Sequence, residues 1–165
     1  MMSAMKFSHE IRYAAGADDV YAMLAEPAFR EQVCEAGGAL SQTVQVTPAA
    51  GGMTVLVDQT MPNDGIPSFA TKFVGDKIQV EQKETWTSPT EAALEVTIPG
   101  KPGHMRGTIT LVEEGGETVE SVVGDIKVSI PLVGGKLEGL IGDLLRSALR
   151  SEGKVGARWI AGQRG

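Results

Sequence analysis

The sequence predicts a single α+β domain in which a curved antiparallel sheet of seven strands packs around one long C-terminal helix. After position 40, apolar and polar residues alternate for about 90 residues, which is typical of half-buried strands. From Leu137 the apolar spacing becomes that of an amphipathic helix. The length of 165 residues suits one domain, so we expect residues 1–165 to fold as one unit.

The N-terminal segment predicts one strand followed by two short helices. Apolar residues alternate through 5–13, which indicates a half-buried strand. Asp18 or Asp19 caps the first helix, and Pro27 ends it and opens the second. Gly37 and Gly38 close the second helix.

Six further strands are predicted, joined by short turns that favour an antiparallel meander. Their predicted ranges are 42–48, 53–61, 78–86, 92–98, 105–112 and 118–130. The interruption at 62–77 is irregular, and its segment SFATKFV predicts one or two helical turns.

A single buried stripe defines the C-terminal helix, predicted from about 134 to 161. The stripe consists of Leu137, Leu140, Ile141, Leu144, Leu145, Ala148, Leu149, Val155 and Trp159. Gly139, Gly142 and Gly153 are assigned to the outer face, where they would loosen the helix and let it act as a gate. Arg146, Arg150, Lys154 and Arg158 form a cationic row interpreted as a solvated face.

A strongly twisted sheet of seven strands curls, so wrapping it around one helix leaves space inside. This order of elements resembles the helix-grip fold of the START-like (SRPBCC) superfamily. The segments PSFATKFVGDKIQVEQKETW (67–86) and IPLVGGKLEGLI (130–141) resemble a bacterial START-like subfamily of unassigned function. The resemblance covers essentially the whole chain and implies the fold. The superfamily includes lipid carriers, cyclases and chaperone regulators, so it implies no single activity.

Composition excludes several classes of function. The net charge of −6 lacks the basic character that nucleic-acid binding requires and argues against general adhesion to anionic membranes. No segment is long and apolar enough to span a membrane or serve as a signal peptide, so we expect no stable membrane insertion and a cytoplasmic location. The single Cys34 and two histidines offer no metal-ligand spacing, and we expect neither a metal nor a cofactor.

Four polar residues fall on predicted inner faces: His9, Gln59, Gln82 and Glu84. A buried Glu84 without a partner would have a raised pKa and would serve as an acid or a hydrogen-bonding group for a ligand. The alternative is that Glu84 reaches water or pairs with a neighbouring strand. For His9 the alternative is a core residue, and for the two glutamines it is pairing with each other.

The remaining candidates for a ligand cavity are apolar, and methionines suit pockets that accept varied apolar ligands. They are Met23, Met53, Met61, Trp86, Met105, Leu144 and Leu145, with Ile141 left unassigned. An ordinary core also contains methionine, so plain core packing is the alternative.

The sequence predicts a binding protein for a hydrophobic small molecule, such as a lipid, an isoprenoid or a polycyclic compound, held between the sheet and the C-terminal helix. A second hypothesis is an enzyme of the cyclase or dehydratase kind that uses Glu84 and His9 as an acid–base pair. A third is an interaction module with a filled core. The sequence leaves the oligomeric state open.

Overall fold

The computed structural model describes residues 4–164, where seven strands form one sheet and four helices pack beside it. The strands are β1 (Met5–Tyr13), β2 (Ser41–Ala49), β3 (Gly52–Pro62), β4 (Lys77–Ser88), β5 (Glu91–Thr97), β6 (His104–Glu114) and β7 (Glu117–Lys127). The helices are α1 (Ala17–Leu24), α2 (Pro27–Ala36), α3 (Ser68–Val74) and α4 (Gly134–Ile160).

The sheet is antiparallel throughout, with the strand order β1-β7-β6-β5-β4-β3-β2. Strands β2 to β7 therefore form a meander, and β1 pairs with the last strand of the chain. Gly115 and Gly116 form the β6–β7 turn with φ of 59° and 85°, values that glycine adopts without steric cost. The predicted seven-stranded antiparallel sheet is confirmed.

Two irregularities accompany the curvature of the sheet. Gly107 of β6 lies directly opposite Gly124 of β7, and a Cβ at either position would overlap the neighbouring backbone. The register of β4 against β5 shifts between Trp86 and Ser88. Glycines and bulges are typical of places where a strand bends.

The helices cover the sheet unevenly. Helix α4 lies over β1 and β7, while α2 packs against both α4 and β2 at the opposite edge. Helix α1 approaches β6 and β7. The curved sheet thus holds one long helix on its inner side, which is the predicted helix-grip arrangement.

The end of β7 differs from the sequence prediction, which extended this strand to residue 130. The strand ends at Lys127, three residues earlier. The backbone N–H of Val128 donates to the buried Glu138 carboxylate of α4 at 2.9 Å. Its side chain joins a small apolar cluster with Ala70 of α3 and Leu137 of α4.

The buried face of α4 is rotated from the predicted one. Leu144 and Ala148, both assigned to the apolar stripe, are exposed, and Leu144 keeps 46% of its surface accessible. Gly142, which was assigned to the outer face, is instead buried against Met5 and Ile126. A Cβ at Gly153 would stand 3.3 Å from Ile11. Gly142 and Gly153 let α4 approach β1 closely, so the prediction that they lie on an outer face is wrong for these two. A Cβ at Gly139 would meet no atom within 4 Å, in keeping with the predicted outer face, and the loosening of the helix by these glycines stays a prediction.

Candidate functional site

The Glu84 carboxylate lies on the inner face of β4, as predicted, but an arginine from α2 pairs with it. Arg30 Nη1 donates to Glu84 Oε2 at 2.7 Å, and Arg30 Nη2 donates to Oε1 at 2.8 Å. Trp86 Nε1 donates to Oε1 at 2.8 Å, and Gln82 Nε2 donates to Oε2 at 2.6 Å. Glu84 therefore accepts four hydrogen bonds, two of them from one guanidinium group in the bidentate geometry that arginine favours.

Local structure explains why Arg30 points inward. Helix α2 begins with Pro27 and buries Phe29 and Cys34, so its inner face passes close to position 30. The third donor of the guanidinium group, Nε, bonds to the backbone oxygen of Leu24 at 2.7 Å. Leu24 is the last residue of α1, so Arg30 satisfies an open carbonyl at that helix end while its other donors reach Glu84.

The ion pair fixes Glu84 in its charged form. Burial alone would raise the pKa of this carboxyl, but the charge and hydrogen bonds of Arg30, together with Trp86 and Gln82, lower it below its ordinary value. Burial likewise opposes the charge of Arg30, and Glu84 nevertheless raises the pKa of the guanidinium group. The raised pKa expected of a Glu84 without a partner therefore does not arise, because Arg30 supplies the partner, from a helix rather than from a neighbouring strand.

His9 lies far from Glu84. Strand β1 is separated from β4 by β7, β6 and β5, so the two residues are about 19 Å apart along the sheet at 4.8 Å per strand. His9 is half-buried at the β1 edge beneath α4. Partial burial and the charges of Arg150 and Arg146 lower its pKa. The structure does not join His9 and Glu84 as the acid–base pair that the enzyme hypothesis requires.

Three further polar residues, which the sequence analysis did not assign to the site, meet between β1, β7 and α4. The Tyr13 hydroxyl donates to Glu152 Oε2 at 2.6 Å, and Glu120 lies beside Glu152 with its Oε1 buried and without a hydrogen-bond partner among the described residues. Tyr13 and Glu120 are each 1% exposed, and Glu152 is 8% exposed. We call these residues, with Arg30 and Glu84, the buried ionic network.

The buried ionic network contains three carboxyl groups and only one guanidinium group. Because negative charges would then outnumber positive ones in a buried place, the neutral form of one carboxyl is favoured. Burial raises the pKa of Glu120 well above its ordinary value, and the neighbouring Glu152 charge raises it further. Arg30 acts in the opposite direction but is already paired with Glu84. A protonated Glu120 can donate a hydrogen bond to Glu152, which Tyr13 also reaches. The network therefore ties α4 to both β1 and β7.

Substitution Glu120→Gln is expected to stabilise the protein at pH 8 by about 1–3 kcal/mol, because the amide is neutral and keeps a donor for Glu152. The folded pKa of Glu120 lies above its unfolded value, so the folded state holds the proton more tightly. The stability gained from that proton is complete below the unfolded pKa and is lost as the pH rises through the folded pKa. Urea unfolding of both proteins at pH 5 and pH 8 measures the difference.

Comparing the variant with the wild type isolates Glu120 from other titrating groups. His9 has a lowered pKa and acts with the opposite sign in this range, but it is present in both proteins. Glu120→Ala is the control, because it removes the donor and leaves a cavity, so it should destabilise at both pH values. Equal wild-type and Glu120→Gln stability at pH 5 and at pH 8 would contradict the assignment.

The candidate cavity residues divide into three groups by their burial. Five are buried in the core: Met23, Met53, Glu84, Trp86 and Met105. Five are half-buried: His9, Gln59, Met61, Gln82 and Leu145. Leu144 faces solvent and is not part of an inner wall, because α4 is rotated from the predicted orientation. Gln82 donates to Glu84 rather than pairing with Gln59.

Two surface clefts lie outside the predicted space. One, of about 360 Å³, is on the outer face of β2–β5, where Gln45, Leu56 and Lys83 contribute to its lining. The other, of about 250 Å³, lies between α1 and the end of α4, where it is lined by Met23 and Trp159 among others. Their linings are partly polar. Neither cleft is the predicted space between the sheet and α4.

Other kinds of site find little support in residues 4–164. In this part of the chain, no three histidine, cysteine, aspartate or glutamate side chains are arranged so that they could hold a metal ion. Within the same residues, no helix combines the length and the apolar character needed to cross a bilayer. Cys34 is buried, and burial raises the pKa of its thiol to about 11, so it is mainly protonated at neutral pH.

Comparison with known proteins assigns the chain to a family. The sequence matches the family described as "Protein of unknown function (DUF2505)" over residues 8–160. The chain belongs to the DUF2505 family. Uncharacterised proteins of Mycobacterium tuberculosis and Mycobacterium bovis are each 29% identical to it over 116 residues, which is 67% of this chain and 67% of theirs.

Solved structures confirm that the DUF2505 chain has the START-like fold. A START superfamily protein from Mycobacterium smegmatis superposes with a TM-score of 0.61 at 13% identity, covering 93% of this chain and 97% of the other. Truncated norcoclaurine synthase from Thalictrum flavum gives 0.61 at 15% identity, covering 97% and 96%. The di-domain ARO/CYC protein StfQ of the steffimycin biosynthetic pathway gives 0.65 at 12% identity, covering 96% of this chain and 52% of that one. At these identities the similarity shows the fold alone.

Proposed function

We propose that this protein binds a hydrophobic small molecule between the inner face of the sheet and α4. The observation that carries the proposal is a wall of half-buried side chains on β2, β3 and β4. Its members are Val44, Val46, Gln59, Met61, Val80 and Gln82. Ile141, Leu145 and Leu149 on α4 are also half-buried. These three residues, like Val44, Val46 and Val80 of the wall, pack against the main core and keep part of their surface exposed.

The placement of the helices accounts for this partial exposure. Helix α4 covers β1 and β7, and α2 reaches the sheet at β2. Among the described residues, the helices therefore approach the edges of the sheet more closely than its middle strands. A ligand that covers these apolar side chains would remove them from contact with water. This burial would stabilise the complex by about 25 cal/mol for each Å² of apolar surface.

The wall also contains groups that can orient a ligand. Gln59 and Gln82 add amide groups to the otherwise apolar surface, which is the mixture typical of small-molecule sites. Glu84 is fully engaged by Arg30, so it holds Gln82 in place rather than contacting a ligand itself. Binding without catalysis is therefore favoured over the acid–base enzyme.

A fluorescence titration with dansyl-undecanoic acid tests the proposal. Val80→Trp places a large ring on the inner wall and is expected to weaken binding at least about tenfold, the effect of losing 1.4 kcal/mol. Leu56→Trp, on the outer face, adds the same ring to an exposed position and should leave affinity within about twofold. Equal weakening by both variants would place the probe elsewhere.

Folding and ligand identity are controlled separately. Circular dichroism and a urea melt establish that Val80→Trp remains folded, and Leu145→Phe supplies a second filling variant on the opposite side. Native mass spectrometry of protein purified from its own host would reveal a co-purifying molecule. The absence both of such a molecule and of probe binding would overturn the proposal and favour the interaction module.

A further inference from the structure

One end of the molecule combines three chain segments around α3. The segments are 62–77, 98–103 and 127–140, and we call them together the α3 end. The buried side chains of Ala70, Val128 and Leu137 join the first segment to the third. Gly103 lies against Val128 and Ile141, which brings the second segment to the same place.

Leu132 is the most exposed large apolar side chain of the described residues. Its side chain is fully accessible, at 101% of the reference area, and its backbone has φ of 72°. A leucine is strained in this left-handed region, where glycine or asparagine would be relaxed. The chain therefore holds an apolar side chain in water on a strained turn, an arrangement that contributes no packing to the fold.

The same three segments carry further half-buried apolar residues. Ile66, Phe69, Phe73, Ile130, Val133 and Leu140 pack against the cluster of Ala70, Val128 and Leu137, and Ile98 is also half-buried. Lysines lie over two of the aromatic rings. Lys136 Nζ is 5.8 Å from the Phe69 ring centroid, and Lys72 Nζ is 5.3 Å from that of Phe73. Each of these two rings thus has a cationic side chain beside it.

The charge of the α3 end is opposite to that of the rest of the protein. Its segments hold five lysines and three carboxylates, a net charge of +2, and one of those carboxylates, Glu138, is buried and bonded to Val128. The remaining chain has ten cations and eighteen anions, a net charge of −8. The overall value of −6 therefore conceals one basic end, which an anionic membrane can attract although it repels the rest of the protein.

We infer that the α3 end docks on an anionic lipid surface, with Leu132 inserted among the headgroups and the lysines beside the phosphates. An exposed apolar side chain on an end of the molecule with a net positive charge fits the membrane interface, where both find favourable partners. A nucleic acid offers no apolar layer for Leu132, whereas a bilayer does. The inference adds a partner to the proposed small-molecule binding and does not depend on it.

The two sites are nevertheless adjacent. Met61 pairs with Ile78 where β3 and β4 enter the α3 end, and Gln59 and Val80 follow two residues further along the inner wall. Docking through Leu132 would therefore turn this end of the wall toward the bilayer. A hydrophobic molecule could then pass between lipid and protein without crossing much water.

Co-sedimentation with sucrose-loaded vesicles tests the inference. The full chain is expected to bind phosphatidylcholine vesicles containing about one-third phosphatidylglycerol, and to bind less at about 1 M salt than at about 0.1 M. Leu132→Gly should weaken partition by about tenfold or more, because it removes the inserted side chain. Since glycine relaxes the positive φ, the same variant should unfold at a higher temperature than the wild type.

Charge variants complete the experiment. Lys72→Glu/Lys136→Glu should weaken partition by about fivefold or more for each lysine. Lys83→Glu and Leu56→Ser alter exposed residues of the same types on the outer face, and both should leave partition within about twofold.

Three outcomes would overturn the inference. The first is equal partition of the wild type and Leu132→Gly, and the second is equal binding to neutral and anionic vesicles. The third is a wild-type dimer in sedimentation velocity that Leu132→Gly dissociates, because this surface would then be occupied by a second copy. A failure of the proposed small-molecule binding is distinguished from these outcomes, because the probe titration measures it without vesicles.

Discussion

Replacing Arg30 by methionine is expected to lower the free energy of unfolding by about 3–5 kcal/mol. The substitution leaves the Glu84 carboxylate buried, at 1% exposure, without its charge partner. Trp86 and Gln82 still donate to Glu84, but two neutral donors do not replace a bidentate guanidinium group. The Leu24 carbonyl at the end of α1 also loses its donor. Urea unfolding at pH 7, followed by tryptophan fluorescence, measures the loss.

Two variants distinguish the buried charge from a general effect of losing an arginine. Arg106→Met breaks an ion pair with Glu95 whose side chains are 66% and 47% exposed, so it should cost less than about 1 kcal/mol. Arg30→Met/Glu84→Met removes both buried charges together and should recover much of the loss. If the double variant is as unstable as Arg30→Met, the unpaired carboxylate is not the cause.

The pH dependence of Arg30→Met provides an independent check. In the wild type the folded pKa of Glu84 is lowered, so its stabilising contribution is present above the unfolded pKa and lost as the pH falls through the folded pKa. Without Arg30, burial dominates and raises the pKa of Glu84 instead. The variant should therefore be closer to wild-type stability at pH 5 than at pH 8.

Strand alternation predicted most of the sheet, because the period of two directly reports which side chains face inward. It correctly placed Glu84 and Trp86 on the inner face of β4. The same period places Glu120 on the inner face with Val122 and Ile126, so this buried carboxyl was visible in the sequence but was not identified. The pattern predicts a direction for each side chain and gives no information on its partner.

The partner of Glu84 could not be predicted in the same way. Arg30 is 54 residues away in sequence, and its position depends on how α2 sits between α4 and β2. That orientation is set by tertiary packing, to which the periodicity of α2 contributes only the inward positions of Phe29 and Cys34. From the sequence alone, an arginine beside these two residues is interpreted as a surface residue, because its partner on the opposing strand is not known.

The face of α4 was misassigned for a related physical reason. Hydropathy identifies the buried face of a helix by its apolar side chains. The closest contact of α4 with β1, however, is made through Gly142 and Gly156, which have no side chain. Glu152 lies on the buried face between Leu149 and Val155. Because its side chain is charged, hydropathy does not assign it to that face. Leu144 was apolar and in register, yet it lies on the exposed side.

Gly156→Ala is expected to destabilise the protein by about 2 kcal/mol, although alanine favours helix more than glycine does by about 1 kcal/mol. A Cβ at position 156 would overlap the Tyr13 ring, which β1 fixes beneath the helix. The ring or the helix must then move, and either motion strains the 2.6 Å bond from Tyr13 to Glu152. Thermal unfolding of the variant beside the wild type measures the loss.

Gly139→Ala is the matched control, since it makes the same change in the same helix where the added Cβ meets no atom within 4 Å. It should stabilise the protein by about 0.5–1 kcal/mol, so the two substitutions are expected to have opposite signs. Tyr13→Phe separates the ring from its hydroxyl. If the hydroxyl bond accounts for part of the loss, Tyr13→Phe will cost less in the Gly156→Ala background than in the wild type. A stabilising Gly156→Ala would mean that α4 stands further from β1 than the buried ionic network requires.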